Sequence, residues 1–503
     1  MNSRRTGSGQ TGQNLRKTQG RRVGWVALSV LVGVAISLWL WRSTGRPGPP
    51  ARNILLITVD TLRADALGAY GNTVAVTPFI DRLASAGLRF DDAHAHSVVT
   101  LPSHATILTG RLPPDHGVRD NAGFRLAPSE ETLATLLKAH GFATGAFVSG
   151  FPLDSRFGLA RGFDVYDDSF VDATPRPAFL EQERAGTETV AAAARWLRAQ
   201  GGSRWFCWIH LYEPHYPYAP PGHFAERFAR EPYAGEVAAV DDALGPVLGP
   251  ILDAGAAGDT LVVLTADHGE SLGEHGEATH GVFAYEATLK VPLILYHPAS
   301  LKARMTSAPA GLVDVAPTIL QLLQMPPLPK ARGLSVIGGP RGGAADRSIL
   351  YFEALSGSLN RGWAPLTGVI VNGMKYIELP TPELYDLKGD PREMHNIAAG
   401  RPTEVDMRRT LLQSFPSGDV RQTDETREVR DRLRALGYVT ADRKGNDGRG
   451  TGEDPKQGIA TDNQLQQITS RYVSGDHAGA LAESMAVFAN SLAGCGRFAC
   501  IYA

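Results

Sequence analysis

The stretch NILLITVD (residues 53–60) decides the fold, because it is a short apolar run that ends on an acidic residue. Similar runs recur along the chain as TGAFVS, WFCWIHL, TLVVLTA and VPLILY. Helix-like stretches such as TPFIDRLASAGL and TETVAAAARWLRAQ separate them. Short apolar strands between amphipathic helices are typical of a parallel sheet covered on both faces. The sequence therefore predicts an α/β fold with a central, mostly parallel sheet.

Polar residues directly follow three of the predicted strands. Asp60 follows the first, the segment from His210 to His215 closes another, and Asp267 and His268 follow a third. In open α/β sheets, functional groups collect at strand ends. We therefore expect one site assembled from these ends, although Asp60 taken alone also fits a helix cap.

The composition is that of an ordinary globular protein. Of 503 residues, 43% are hydrophobic and 20% are charged, and 50 basic against 52 acidic side chains give a formal net charge of −2. This balance gives no indication of nucleic-acid binding. Three cysteines are too few for a disulfide framework and lack the paired spacing of a zinc site. Stability must therefore come from the core.

The N-terminal region predicts a membrane anchor. Residues 1–22 are a basic tail without acidic residues, and residues 23–41 form an uncharged apolar run of 19 residues, close to the length of about 20 that spans a bilayer. The basic flank predicts a single-pass protein with a cytoplasmic N-terminus and an exported (periplasmic or extracellular) catalytic domain. A cleaved signal peptide is the alternative, but no clear Ala-x-Ala site follows. Residues 42–52 then form a linker.

The sequence pattern changes three times along the remaining chain. Residues 53–345 carry the alternating pattern of a catalytic domain, and residues 346–440 hold short strand-like pieces that predict a smaller β-rich subdomain. Residues 441–460 are a linker by composition. Residues 461–503 resemble a single helix pair of a tetratricopeptide-type repeat, a helical hairpin that is a candidate surface for a protein partner.

A histidine-rich loop follows the strand TLVVLTA. The stretch ADHGESLGEHGEATHG (residues 266–281) places Asp267 and His268 at the strand end and His275 and His280 in a glycine-rich loop. Carboxylate and imidazole ligands suit a divalent cation. A solvated loop accounts for the glycines but not for so many histidines.

Taken together, these motifs resemble the sulfatase family of the alkaline-phosphatase superfamily. The segments NILLITVDTLRADALGAYG, TLPSHATILTGRLPPDHGVRDN, HLYEPHYPYAPP, LTADHGESLGEHGE and PELYDLKGDP occur in the family's order, within about residues 53–398. The resemblance implies an alkaline-phosphatase-like fold and a hydrolase of sulfuric or phosphoric ester bonds.

The same resemblance implies a metal site. Asp60, Asp267 and His268 would hold one divalent ion, with Thr100 as its nucleophilic ligand. The ion could be calcium, manganese, magnesium or zinc. Thr61 stands where many sulfatases have a second metal-binding aspartate, which implies a leaner metal shell than in calcium-bound sulfatases.

The resemblance also assigns roles to histidines. The family's substrate-contacting histidine falls on His215, and its basic leaving-group residue, commonly lysine, falls on His280. His210 and His275 are candidate substrate-binding residues that fit structural hydrogen-bonding roles equally well. The candidate catalytic residues are therefore Thr100, His280, His215 and His104.

The signature SVVTLPSHATILTG (residues 97–110) departs from the family where its reactive residue stands. Thr100 occupies the position of the cysteine or serine that matures to formylglycine, and His104 replaces the family's arginine, so we expect no formylglycine. TGAFVSGFPLD (residues 144–154) lies where many sulfatases carry a Lys-x-His pair that holds the sulfate. The contacts to the anion must therefore differ.

The identity of Thr100 favours phosphorus chemistry. Coordination lowers the pKa of a hydroxyl and stabilises an in-line displacement, whereas a threonine sulfate cannot expel sulfate as an aldehyde hydrate does. We predict a metal-dependent hydrolase of sulfate or phosphate esters, with phospho- or phosphonoesters preferred and His280 or His215 as the acid. The alternatives are a phosphotransferase that modifies an envelope lipid or glycan, and a non-catalytic binding protein with a sulfatase fold.

Overall fold

The structure of the chain is a computed structural model that describes residues 50–170, 183–255, 258–337, 349–418, 420, 422, 426–435 and 452–493. All elements named below lie in the unit formed by residues 51–503. Within the described residues the strands are, in chain order, β1 (Asn53–Val59), β2 (Leu88–Phe90), β3 (Ala93–His94), β4 (Ala143–Val148), β5 (Val165–Asp167), β6 (Trp205–Leu211), β7 (Thr260–Ala266), β8 (Leu293–Tyr296), β9 (Arg304–Thr306), β10 (Ala310–Gly311), β11 (Ile349–Ala354), β12 (Leu366–Val371), β13 (Met374–Glu378) and β14 (Glu383–Asp386).

Helices alternate with the first strands and dominate the C-terminal region. Over the same residues the α-helices are α1 (Pro78–Ala86), α2 (Thr100–Thr109), α3 (Pro113–His116), α4 (Leu133–Ala139), α5 (Gly186–Ala199), α6 (His223–Arg227), α7 (Pro232–Ala254), α8 (Glu286–Leu289), α9 (Val315–Leu322), α10 (Ser356–Arg361), α11 (Pro402–Gln413), α12 (Arg427–Ala435), α13 (Pro455–Val473) and α14 (His477–Ala493). Short 3₁₀ turns lie at Ala64–Ala66, Gly68–Tyr70, Phe151–Leu153, Ser155–Phe157, Glu274–Gly276, Leu312–Asp314 and Ala398–Gly400.

A sheet of eight strands, in the order β5-β4-β6-β1-β7-β8-β2-β9, forms the centre of the fold. β1 pairs in parallel with β6 on one side and with β7 on the other, and β4 and β5 extend the parallel part. β8 runs antiparallel to β7 and to β2. All seven residues of β1 are buried, as expected for the middle strand of a covered sheet. The predicted α/β fold with a mostly parallel sheet is confirmed.

The strand register aligns the ends of three neighbouring strands. Thr58 of β1 pairs with His210 of β6 and with Thr265 of β7. Because the three strands run in the same direction, the residues that follow them leave the sheet at one edge. Asp60 and Asp267 therefore emerge side by side.

Contacts between helices hold the layers around this sheet. Asp241 of α7 accepts hydrogen bonds from the backbone N–H groups of Phe79 (3.1 Å) and Ile80 (2.7 Å) in the first turn of α1. Those donors have no partner within their own helix, so the buried carboxylate satisfies them. α5 packs against β4 and β6 and also contacts α7. Polar contacts thereby join α7 to α1, while α5 packs directly on the sheet.

Strands β11 to β14 form a second, antiparallel sheet in sequential order. Asn372 and Gly373 join β12 to β13 with φ values of 55° and 80°, the two-residue Asn-Gly turn whose twist suits a hairpin. Val369, Tyr376 and Leu384 are buried in a small core of their own. This sheet is the smaller β-rich part that the sequence predicts.

Two further helices, α13 and α14, contact each other near the C-terminus. α13 begins at Pro455, and the carboxylate of Asp454 before it accepts a hydrogen bond from the Lys456 N–H at 3.1 Å. An aspartate followed by proline is a common helix start. The first helix therefore begins inside the predicted linker, residues 441–460. The predicted domain boundaries remain predictions.

The predicted localisation, a single-pass membrane protein with an exported catalytic domain, is corrected. In the part of the chain that the structure describes, no helix is both long and apolar enough to cross a membrane. The longest described helix, α7, has 23 residues but carries Glu236, Asp241, Asp242 and Asp253, whereas a span needs about 20 mostly apolar residues in succession. Residues 23–41, to which the span was assigned, lie outside the described residues.

A buried ion pair joins the loop after α3 to the C-terminal sheet. Arg119, in the loop after α3, donates through Nε and Nη2 to the two carboxylate oxygens of Glu353 in β11, at 2.6 and 2.7 Å. The side chains are 3% and 0% exposed. The hydroxyl of Tyr351 also donates to Glu353, at 2.6 Å. The pair is therefore fully desolvated and bidentate.

We expect Glu353→Ala to lower the free energy of unfolding by about 3–5 kcal/mol, because Arg119 is then buried without a counter-charge. Asp253→Ala, which removes the exposed partner of Arg82, is the control and should cost less than about 1 kcal/mol. Urea unfolding of the three proteins measures both values. Equal losses in the two variants would show that the buried Arg119 pair contributes no more to stability than an exposed pair.

Candidate active site

The residues after β1 and β7 form a buried polar cluster. One oxygen each from Asp60 and Asp267 and one ring nitrogen of His268 lie within 4.8 Å of one another. His268 Nε2 lies 3.5 Å from Asp60 Oδ1 and 3.6 Å from Asp267 Oδ2. All three side chains are completely buried. The structure thus brings together the three residues predicted as metal ligands.

The atoms of this cluster fit a divalent cation. His268 Nδ1 lies 2.9 Å from the carbonyl oxygen of Gly269; we therefore assign its proton to Nδ1, which leaves the lone pair of Nε2 facing the carboxylates. Within the described residues, Asp60 Oδ1, Asp267 Oδ2 and His268 Nε2 have no hydrogen-bond partner. Buried polar atoms are rarely left unpaired. Two carboxylate oxygens and an imidazole nitrogen are a ligand set that divalent metals use.

The electrostatics of the cluster agree with its geometry. Burial and the neighbouring charge of Asp60 raise the pKa of Asp267 well above its usual range. Burial, together with the charge of His280, lowers the pKa of His268 to about 3, so this imidazole is neutral near pH 7. Two adjacent buried carboxylates with no positive side chain between them favour a bound cation.

Thr100 lies against this cluster at the start of α2. Its side chain is completely buried, and its hydroxyl donates a hydrogen bond to Asp60 Oδ2 at 3.2 Å. As the first residue of the helix, Thr100 lies at the positive end of the helix dipole, where negative charge is stabilised. The structure therefore places the predicted nucleophile beside a predicted metal ligand.

Asn121 is a neighbour of Thr100 that the sequence analysis did not single out. Its Oδ1 accepts a hydrogen bond from the Leu101 N–H at 2.7 Å. Its Nδ2 is buried and has no acceptor among the described residues. A buried amide donor of this kind beside a nucleophile can bind an oxygen of a substrate. The signal in the sequence was the position of Asn121 at the end of the family-like segment TLPSHATILTGRLPPDHGVRDN.

His104 lies one helical turn after Thr100 and faces away from open solvent. Its Nδ1 lies 2.8 Å from the Thr100 carbonyl oxygen and 3.6 Å from Asp267 Oδ2. Its Nε2 lies 3.0 Å from the hydroxyl of Thr58. Burial and the nearby His210 lower its pKa well below the usual range. His104 is therefore a neutral residue that contacts the backbone carbonyl of Thr100. It stands in the position where the family carries an arginine.

The Thr58 hydroxyl links this histidine to His210. Trp208 Nε1 donates to Thr58 Oγ1 at 2.9 Å, and His210 Nδ1 lies 3.1 Å from the same oxygen. His104 Nδ1 faces the Thr100 carbonyl and must carry the ring proton, so His104 Nε2 accepts the single hydroxyl proton of Thr58. His210 must therefore donate to Thr58 from Nδ1. The lone pair of His210 Nε2 then faces Asp60 Oδ2, 3.5 Å away. His210 borders the cluster, but its orientation is set by this hydrogen-bond network.

His280 and Glu270 form a second pair at the edge of the cluster. His280 Nδ1 lies 2.8 Å from Glu270 Oε1, and the His280 ring centroid lies 4.6 Å from that of His268. Burial raises the pKa of Glu270 well above its usual range and lowers that of His280 to about 4. Both shifts favour an uncharged pair, in which Glu270 donates to Nδ1 and the imidazole proton is on Nε2.

Glu270 was also missed by the sequence analysis. It stands two residues after His268 in the segment DHGES, so an acidic residue among candidate ligands was the available signal. A carboxyl group beside one imidazole nitrogen fixes the tautomer of the ring. Glu270 is therefore the residue that orients His280.

The other two predicted histidines differ in their proximity to the cluster. His215 stacks on Tyr212 and lies 5.0 Å from the ring of His280, and its nitrogens contact the Tyr216 carbonyl (2.6 Å) and the Tyr212 hydroxyl (3.2 Å). His275 instead stacks on Tyr285 at 3.6 Å and contacts the Arg392 carbonyl at 3.1 Å. His215 thus lines the site, whereas His275 joins the loop to the segment between β14 and α11.

Thr61 does not replace the family's second aspartate. Its hydroxyl donates to the carbonyl of Pro214 at 2.9 Å. Its φ of 50° is unusual for a β-branched residue, and such strained backbone is common at functional sites. The Tyr233 hydroxyl holds the turn by donating to the Thr61 carbonyl at 2.8 Å.

The strand-end cluster and the α/β sheet define an alkaline-phosphatase-like hydrolase. The family model for sulfatases matches residues 52–325, more than half of the chain. The chain therefore belongs to the sulfatase family, and it is a hydrolase of sulfuric or phosphoric ester bonds. The family assignment made from the sequence motifs is confirmed.

Two curated relatives illustrate this similarity. Human arylsulfatase A is 26% identical over 448 residues, which cover 73% of this chain and 88% of that protein. The N-acetylglucosamine-6-O-sulfatase of Bacteroides thetaiotaomicron is 24% identical and covers 72% of this chain and 85% of its own length.

Solved structures share the fold. The phosphonate monoester hydrolase of Agrobacterium radiobacter superposes with a TM-score of 0.59 at 22% identity and covers 73% of this chain and 95% of that chain. A protein solved in complex with its substrate D-glucosamine-2-N,6-O-disulfate also gives a TM-score of 0.59, at 21% identity, and covers 73% and 97% of the two chains. These likenesses establish the architecture.

We expect the protein to bind one divalent ion per chain through Asp60, Asp267 and His268. Loss of a hydrogen bond that only supports a metal ligand typically weakens metal binding by about 10–100-fold. Asp267→Asn removes a ligand oxygen itself and should therefore weaken metal binding by more than this. Calorimetric titration of the metal-stripped protein with Mn²⁺, Mg²⁺, Ca²⁺ and Zn²⁺ measures the affinities. Asp65→Asn, which changes an exposed aspartate in the segment after Asp60, is the control. Unchanged affinity in Asp267→Asn would place the ion elsewhere.

Proposed function

We propose that the protein is a metal-dependent hydrolase of phosphate or sulfate esters that uses Thr100 as its nucleophile and prefers phosphorus substrates. The observation that carries this proposal is the contact of 3.2 Å between the Thr100 hydroxyl and Asp60 Oδ2 at the N-terminus of α2. This position puts an alcohol beside a cluster suited to a cation and at a helix end suited to an anion.

A bound divalent ion would supply charge stabilisation for the oxygens of the ester. Asp60, Asp267 and His268 would hold that ion. The side-chain amide Nδ2 of Asn121 would bind the same oxygens, and the positive end of the α2 dipole would favour their negative charge. The anion would thus be recognised without the family's Lys-x-His pair, whose position TGAFVSGFPLD occupies.

The reaction has two steps. Thr100 Oγ1 bonds to phosphorus or sulfur while its proton passes along the hydrogen bond to Asp60 Oδ2, and the bond to the ester oxygen breaks. The departing oxygen takes the proton on Nε2 of His280 while Glu270 passes its own proton to Nδ1, so that the ring stays neutral. Water then attacks the esterified Thr100 and gives a proton to Nε2 of His280, while Nδ1 returns its proton to Glu270. The bond from Thr100 Oγ1 breaks, the anion leaves, and Oγ1 recovers its proton from Asp60. Glu270 keeps His280 in the required orientation through the contact at Nδ1.

We expect Thr100→Ala to lower kcat on the order of 10⁴–10⁶-fold, the range for loss of a nucleophile. Thr100→Ser keeps a hydroxyl at the same position and should retain most of the activity. Metal titration of Thr100→Ala is the control and should still show one bound ion, because Asp60, Asp267 and His268 remain. An active Thr100→Ala enzyme would refute the assignment, and an inactive wild type that binds the ester would favour the non-catalytic alternative.

The preference for phosphorus follows from the absence of a Cys or Ser at position 100. We expect kcat/KM for 4-nitrophenyl phosphate, bis-4-nitrophenyl phosphate or 4-nitrophenyl phenylphosphonate to exceed that for 4-nitrophenyl sulfate. Mass spectrometry of the Thr100 peptide must show an unmodified side chain in the resting enzyme. Dominant sulfatase activity of unmodified protein would overturn the preference. Transfer to an added alcohol in excess of hydrolysis would instead indicate the phosphotransferase.

A further inference from the structure

The loop that carries His280, residues 273–282, has positive φ angles at several positions, a conformation that favours glycine. Gly273, Gly276 and Gly281 have φ values of 105°, 82° and 109°, and His275 also has a positive φ of 53°. Loops of this kind have several accessible conformations unless neighbouring elements restrict them. The position of His280 therefore depends on what packs against the loop.

Helix α13 packs against this loop through a side-chain amide. Asn463 Nδ2 donates to the Gly276 carbonyl at 2.7 Å, and Asn463 Oδ1 accepts from the Ala278 N–H at 3.1 Å. One side chain thus satisfies a backbone acceptor and a backbone donor on two sides of Glu277. This arrangement fixes the loop backbone two residues before His280.

A second amide of α13 reaches the residue next to His280. The Thr279 hydroxyl donates to Gln466 Oε1 at 2.8 Å, and Gln466 Nε2 donates to Asp462 Oδ2 at 3.3 Å. The contact with Asp462 sets the orientation of the amide, so that its oxygen faces Thr279. The loop is therefore held at Gly276, Ala278 and Thr279.

α13 is itself fixed to the rest of the protein. Arg361 and Asp462 form a buried ion pair, with side chains 10% and 1% exposed. Gly458 packs so closely on Trp363 that an added Cβ would lie 2.1 Å from Trp363 Cζ2. Lys456 pairs with Glu383 of the C-terminal sheet. The helix can therefore serve as a rigid support.

We infer that Asn463 and Gln466 are positioning residues that hold the 273–282 loop so that His280 can protonate the leaving group. The inference rests on the proposed function, in which His280 is that acid. It assigns a role in the reaction to a helix that lies beyond residues 52–325, the segment matched by the family model.

The test compares leaving groups. If a change impairs only protonation of the leaving oxygen, the ester with the poorer leaving group loses more rate, because a dinitrophenolate leaves without a proton. We expect the double variant Asn463→Ala/Gln466→Ala to lose about tenfold or more in kcat/KM on the phenyl ester and about twofold or less on the 2,4-dinitrophenyl ester, because kcat/KM reports the step in which the ester oxygen leaves and not the later hydrolysis of the Thr100 ester. The esters are those of whichever acid, phosphoric or sulfuric, the wild-type enzyme hydrolyses.

A matched control lies on the same helix. Gln464 and Gln467 are exposed, so Gln464→Ala/Gln467→Ala removes two amides of α13 that face solvent and should leave both rates unchanged. Thr279→Val removes the contact to Gln466 from the loop side while α13 keeps its sequence, and should reproduce a selective loss. Equal losses on both esters in the double variant and in Thr279→Val, or a selective loss in the control, would overturn the inference.

His280→Ala separates this inference from the proposed function. His280→Ala should by itself lose more rate on the phenyl ester than on the 2,4-dinitrophenyl ester. Adding Asn463→Ala/Gln466→Ala to His280→Ala should not change the ratio of the rates on the two esters any further, because all three changes act through the His280 imidazole. If His280→Ala is not selective, the assignment of the acid fails. If His280→Ala is selective and the double variant is not, the acid stands and the role of α13 is refuted.

Discussion

The active site depends on the burial of two carboxylates next to each other. Asp60 and Asp267 follow neighbouring parallel strands, and both are completely buried. Like charges in a low-dielectric interior must be neutralised by protons or by a cation. His268 is oriented by Gly269 so that its lone pair faces both carboxylates, and Thr100 donates its hydroxyl to one of them. The residues around the pair therefore complete a ligand set.

Three histidines of the site, His104, His210 and His215, contribute mainly through their orientation, because burial keeps them neutral. The pKa of His210 and of His215 is lowered to about 3, chiefly by burial. His104 contacts the backbone carbonyl of Thr100 and the hydroxyl of Thr58. Since a neutral ring donates from one nitrogen and accepts at the other, each hydrogen bond fixes what the opposite nitrogen can do. Because His104 stands where the family carries an arginine, the contacts that hold Thr100 differ from those of the family.

Elements distant in sequence hold the parts of the site that lie in loops. The loop with His280 contacts α13 through Asn463 and contacts the residues before α11 through His275. Lys456 of α13 and Tyr285 both bind Glu383, which ties the helix, the loop and the C-terminal sheet together. Strand ends are rigid because the sheet determines them, whereas glycine-rich loops need such contacts to keep one conformation. The C-terminal part of the chain is therefore structurally coupled to the site.

The sequence by itself determined the sheet, the family and the residues at the strand ends. Apolar runs that end at Asp60 and Asp267 predict that the two carboxylates lie close together, because the ends of buried parallel strands meet at one edge of the sheet. The sequence could not show that His275 turns away, that Asn121 and Glu270 lie beside the cluster, or that α13 contacts the loop that carries His280. Those facts depend on contacts between residues far apart in the chain, which local patterns do not encode. Only the tertiary structure decided them, because hydrogen bonds and burial are set by which surfaces meet in space.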